Sequence, residues 1–169
     1  MDIRWCLAML MEDHKRLIRE LVEFLGAENV LEWKIPRERR IFITIKKEKL
    51  RDAVSYLKDH EGLTHITTIT GVDAGDGIEV LYHLTKKDLS LTLKIKVPME
   101  EPIVDSIVDI LNGAILYERE VHDLLGVKFN GHPNLKRLIL PDEWPEDVHP
   151  LLKKWSVDEI RRVIDGKRW

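Results

Sequence analysis

The sequence predicts an α+β fold: a mainly antiparallel sheet of about four strands covered by helices, with an irregular proline-rich C-terminal extension. Three observations predict it. Segments 39–47, 64–73, 78–84 and 89–97 carry β-branched or period-two apolar patterns. Segments 12–25, 49–59, 103–111 and 114–125 instead space their apolar residues by three and four. Beyond Phe129, four prolines fall between Pro133 and Pro150, too many for regular structure.

Taken in order, Leu17, Leu21 and Leu25 recur along one helical stripe with Ile18 and Val22 beside them, and Gly26 is a natural stop. Ile41, Ile43 and Ile45 alternate in the first predicted strand. Leu50, Val54 and Leu57 return to helical spacing. "THITTITGVD" follows as a strand, and "GVDAGDG" is turn-forming. "IEVLYHL" and "LSLTLKIKV" flank the polar "TKKD" and read as a hairpin. In its second arm Leu89, Leu91, Leu93, Ile95 and Val97 face one way, and Ser90, Thr92, Lys94 and Lys96 face water. Ile103, Ile107 and Leu111, with Val104 and Val108, predict a helix over 103–111 that Asn112-Gly113 ends. Another helix over 114–125 ends at Gly126. Ser156 and Glu159 form a capping box for a last helix over 156–165, before Gly166. The domain boundaries that follow are an α+β domain over 1–129 and an extended tail over 130–169. The tail ends in a short helix and either belongs to the same domain or docks on a partner.

Composition limits the function classes. The 169 residues suffice for one hydrophobic core, and 34% are charged, above the roughly 25% usual in globular proteins. Such density fits a thermophilic source. Cys6 is the single cysteine, so this chain alone has neither an internal disulfide nor a cysteine-held iron–sulfur cluster. No apolar run approaches the about 20 residues of a membrane span, so membrane association is expected only through a partner. Net charge is −3 but uneven. Residues 34–51 carry eight Lys/Arg against two Glu, and residues 98–123 carry seven acids against Arg119 alone. The basic stretch is a candidate for phosphates, but its buried isoleucines favour a solvated sheet face or a protein-docking patch over nucleic acid.

The chemistry-bearing residues concentrate in "YEREVHDLLGVKFNGHPNLKRLILPDEWP", residues 117–145. Glu118 and His122 stand one helical turn apart, Asp123 is adjacent, and His132 follows ten residues later. Glu118, His122 and His132 therefore define a metal-dependent enzyme as one reading. The simpler reading is a solvated charged face paired through Arg119. No Ser or Cys nucleophile motif and no glycine-rich phosphate loop accompanies them. Trp144, Trp155 and Trp169 all lie in the last 26 residues and need a surface to bury against, in this chain or in another.

The stretch "EREVHDLLGVKFNGHPNLKRLILP" closely resembles the signature of the 30-kDa subunit of respiratory complex I, the NuoC type, a module that also occurs in archaeal membrane-bound [NiFe] hydrogenases and sulfane reductase complexes. The match is carried by Glu118, Arg119, Glu120, Asp123, Gly126, Phe129, Gly131, His132, Pro133, Leu135, Arg137 and Leu140. Residues 64–145 follow the family, and Trp144 within "LPDEWP" is most similar to its hydrogenase-like members. Departures are Asn134, Lys136, and Leu152 and Trp155 where polar residues are common. The resemblance implies a non-catalytic hydrophilic subunit without a cofactor of its own. It implies a large subunit as partner, bearing the [NiFe] or quinone site, and a small iron–sulfur subunit. It further implies a peripheral place on the cytoplasmic face of the membrane, and no nucleic acid. A ferredoxin-dependent hydrogenase or sulfane reductase is the expected complex, with a complex I-like quinone oxidoreductase as the alternative. The residues named above are then expected to form the interface.

Overall fold

The computed structural model describes residues 3–87 and 89–166, with side chains from Met11 on. Cys6 and Trp169 lie outside the side chains so described. The elements are helix α1 (Ile3–Leu25), strands β1 (Val30–Arg37) and β2 (Arg40–Ile45), helix α2 (Leu50–Asp59), strands β3 (His65–Asp73), β4 (Ile78–Lys86), β5 (Leu89–Val97) and β6 (Ile103–Asp105), helix α3 (Ile115–Leu125), strand β7 (Lys128–Asn130) and helix α4 (Val157–Asp165). The fold class is the predicted one, α+β with a mostly antiparallel sheet. The sheet has five strands in the order β1-β2-β5-β4-β3, and β2 runs parallel to β5. The described chain falls into two compact units. One holds the chain up to Thr68 with Leu81–Ile95, the other Ile69–Val80 with the chain from Lys96 on.

In the first unit the alternation of β2 is realised. Ile41, Ile43 and Ile45 are buried, as are Leu91, Leu93 and Ile95 of β5. The stripe of α1 buries Leu17, Ile18, Leu21 and Leu25, and α2 buries Leu50, Val54 and Leu57. The two helices meet where Phe24 stacks on Tyr56 with ring centroids 4.7 Å apart. One expectation for β5 fails: Thr92 is not in water but 3% exposed, its hydroxyl 3.0 Å from His83 Nδ1. Strand β1 was not legible in the sequence. It is an edge strand with no buried residue, Leu31 and Trp33 stand exposed, and bulges interrupt its pairing with β2. An edge strand without a buried face leaves no period-two signal.

In the second unit the predicted helix over 103–111 is absent. Val104, Ile107, Val108 and Leu111 are buried, but from a strand and a single turn. Strand β6 pairs in parallel with β7, Val104 opposite Phe129, and Ser106 N donates to Asn130 O at 2.8 Å. A helix would send the Ile107 N–H back to residue 103. Here the Glu118 carboxylate takes it at 2.8 Å. A tertiary partner outcompetes the local pattern. Residues 131–155 run through turns, Val148 and Leu152 entering the core. The capping box then starts α4, Ser156 Oγ accepting from Glu159 N. No described helix is long and apolar enough to cross a membrane.

Candidate functional site

Helix α3 and the loop beside it carry the charged motif, all within the second unit. Ile115 begins the helix and Gly126 ends it, with φ 77° in the left-handed region that an L side chain resists. A Cβ at Gly126 would also lie 2.7 Å from the His149 ring. Glycine is required here for two independent reasons.

Three ionic side chains of the helix, Glu118, Arg119 and Asp123, are spent on the protein's own chain. Glu118 is fully buried, accepting from Ser106 Oγ at 2.6 Å and from Ile107 N at 2.8 Å. Arg119 donates through Nε to Lys136 O at 2.8 Å and through Nη2 to Arg137 O. One oxygen of Asp123 accepts from three successive N–H groups, Leu138 at 3.1 Å, Ile139 at 2.8 Å and Leu140 at 2.9 Å. Burial by itself raises the Asp123 carboxyl, but the three N–H groups and the nearby Arg137 outweigh it and hold the pKa below the usual carboxylate value. His132 Nε2 donates to Ile115 O at 3.0 Å, and its Nδ1 accepts from Asn134 N at 3.0 Å. The loop from His132 to Leu140 is therefore stapled along α3 at its start, middle and end.

The far end of α3 is closed by the tail. A helix leaves its last carbonyls without partners. Here Gly126 N donates to His122 O, His149 Nδ1 to Asp123 O at 2.9 Å, and Leu151 N to Leu124 O at 3.1 Å. Lys153 N then donates to the Asp73 carboxylate at 2.8 Å. The departures at Leu152 and Trp155 belong to this strap: Leu152 is 6% exposed, and Lys154 Nζ stands 5.6 Å over the Trp155 ring. Trp144 closes the strap's other end, Nε1 donating to Val148 O at 2.7 Å.

Between loop and strap lies a cleft of about 750 Å³. Lys128, Lys136 and Arg137 line it with positive charge and Asp142, Glu146 and Asp147 with negative, while His122 and His149 also face it. His122 Nδ1 donates to Val127 O at 2.8 Å. Burial lowers the His122 pKa, against the pull of that carbonyl, and the neighbouring His149 and His132 lower it further. Glu118, His122 and His132 do not converge as a ligand set, because Glu118 and His132 are already engaged with other groups of the chain. Among the described residues no group of three or more His, Cys, Asp or Glu is disposed to hold a metal ion. Of the other motif residues, Phe129 is buried in β7, Gly131 turns with φ 80°, and Leu135 and Glu120 are half-buried while Pro133 is exposed. Sequence reasoning missed Ser106, Asp73 and His149. Only the partner each finds in the fold gives it a role.

The chain is similar to known proteins over most of its length. The family described as respiratory-chain NADH dehydrogenase, 30 Kd subunit, matches residues 43–161. The C-type subunit of the F(420)H(2) dehydrogenase of Methanosarcina mazei is 36% identical over 138 residues, covering 75% of this chain and 87% of that protein. The C/D-type subunit of the NADH-quinone oxidoreductase of Phocaeicola vulgatus is 36% identical over 119 residues, which are 68% of this chain but 22% of that protein. Among solved structures, a chain of the membrane-bound sulfane sulfur reductase, an archaeal respiratory membrane complex, matches with a TM-score of 0.76 and 25% identity. That match covers 93% of this chain and 95% of the other.

Proposed function

The chain belongs to the family of the 30-kDa subunit of respiratory-chain NADH dehydrogenase, and from that membership we propose that it is a non-catalytic scaffolding subunit of a membrane-bound, energy-converting oxidoreductase complex. Its work is to hold the large catalytic subunit, and the small iron–sulfur subunit completes the set of partners. Cofactors reside in those partners: iron–sulfur clusters together with a [NiFe] or quinone site. The chain itself stands on the cytoplasmic face of the membrane.

The observation that carries this reading is the internal use of the charged motif. Arg119, Asp123 and His132 together hold residues 132–140 along α3, and Glu118 holds the segment at Ser106 and Ile107. A preorganised loop on a helix is what a docking surface needs, since ordering it beforehand removes an entropic cost of association. The C/D-type relative supports the choice of the large subunit as partner, because in it a much longer chain contains the part this chain matches. Near-complete coverage of the sulfane sulfur reductase chain supports a ferredoxin-linked hydrogenase or sulfane reductase complex. The relatives that are NADH-quinone oxidoreductase subunits favour the second reading, a complex I-like quinone oxidoreductase.

Reversing one staple tests the docking role. Arg119→Glu places a carboxylate against the carbonyls of Lys136 and Arg137 and should release the middle of the loop. Capture of the co-produced large subunit should weaken about tenfold or more, as expected of an interface anchor. Undiminished capture counts against the scaffold.

A further inference from the structure

Helix α1 carries a polar side chain on the stripe that otherwise enters the core. His14 stands one turn before Leu17 and is only 6% exposed, where packing alone would call for an apolar residue. Its Nδ1 is buried with no hydrogen-bond partner among the described residues, a state that costs stability. His14 lines a cavity of about 370 Å³ within the first unit. Four cations reach the same cavity: Arg16 on α1, Arg39 between β1 and β2, and Lys86 and Lys87 at the β4–β5 turn. The acids there, among the described residues, are Asp13 and Glu61. Asp13 lies 4.0 Å from the Arg16 guanidinium, and Lys86 Nζ donates to Glu61 O, a carbonyl that does not neutralise its charge. Lys87 has no hydrogen bond or ion pair among the described residues. We propose that this cavity binds a small oxyanion of the phosphate type, with His14 and Lys87 as its anchors.

The ligand class follows from the charge and from the state of the imidazole. Cations that converge from separate elements match an anion whose charge is spread over several oxygens. Burial lowers the His14 pKa against the pull of Asp13, so the ring is neutral. A neutral imidazole donates through one nitrogen and accepts through the other. It can therefore donate to a bare oxygen or accept from a protonated one. That suits an anion which is itself partly protonated near neutral pH, as phosphate is. Free phosphate and the head group of an acidic phospholipid share this chemistry, and the experiment separates the two sources.

The test titrates the full chain with inorganic phosphate by calorimetry, and with vesicles of phosphatidylglycerol or of phosphatidylcholine. The expected result is saturable phosphate binding that Lys87→Gly and His14→Leu each weaken at least about tenfold. Lys87→Gly removes the ammonium and suits the left-handed φ of 45° at that position, so the turn is kept. His14→Leu removes the unpartnered nitrogen and should melt at or above the wild-type temperature. Lys34→Ala, at an exposed cation elsewhere in the first unit, should bind as the wild type does. Saturable binding of phosphatidylglycerol vesicles alone, weakened in the same two variants, assigns the site to a lipid head group. No saturable binding of either probe overturns the site, and so does wild-type binding by either variant. Equal weakening by Lys34→Ala means diffuse charge and overturns it as well.

Discussion

Asp123 shows how one residue organises a surface. Its carboxylate collects three backbone N–H groups from residues 138–140, and its own carbonyl receives His149. Removing it strands those donors in a site where Asp123 is only 4% exposed. Asp123→Ala should cost about 3 kcal/mol in denaturant unfolding, within the range for charge-assisted bonds lost together. The sign of its pH dependence follows from the depressed pKa. A carboxyl whose folded value lies below its unfolded one stabilises fully above the ordinary carboxylate range, and that stability is lost as pH falls through the folded value. Wild type should therefore lose stability on acidification below the usual carboxylate pKa, and Asp123→Asn should show a flatter profile in the same window. A chemical-denaturation series across acidic pH measures both.

At the scale of elements, α3 was legible and its neighbours were not. Its apolar spacing, its end at Gly126 and the turn after it all follow from residue types. The left-handed φ of 77° is the physical reason a glycine stands there. Gly126→Ala should destabilise by about 2 kcal/mol or more: the left-handed conformation costs roughly 1–2 kcal/mol, and the new methyl meets the His149 ring. Pairing it with His149→Ala in a double-mutant cycle should recover the steric part and leave the backbone part. Segment 103–111 misled for an equally physical reason. Its buried residues recur at three and four, but the Ile107 N–H is taken by Glu118, eleven residues away. Periodicity reports which residues are buried; the hydrogen-bond partner decides the backbone.

At the scale of the whole molecule, the tail acts as a strap for the second unit. Val148 and Leu152 enter its core, and Asp73 at the end of β3 receives the N–H groups of both Gly75 and Lys153. Asp73 thus couples a turn in its own neighbourhood to a segment eighty residues away. Asp73→Ala should loosen residues 149–155 before the rest of the unit. Faster hydrogen exchange at Leu151 and Lys153, with protection in α3 retained up to Val121, is the expected pattern. Uniform loss of protection would mean instead that the strap and the helix open together.

By itself the sequence determined the apolar faces of α1, α2, β2 and β5, the stop at Gly126, the capping box of α4 and the family. Each is encoded by spacing or by a residue type whose preference is local. What the charged motif does was decided only by the tertiary structure. A run of Glu, Arg and Asp looks the same in sequence whether it faces solvent, a metal or another chain. Burial and the backbone groups that surround each side chain turn it inward, and no periodicity announces that.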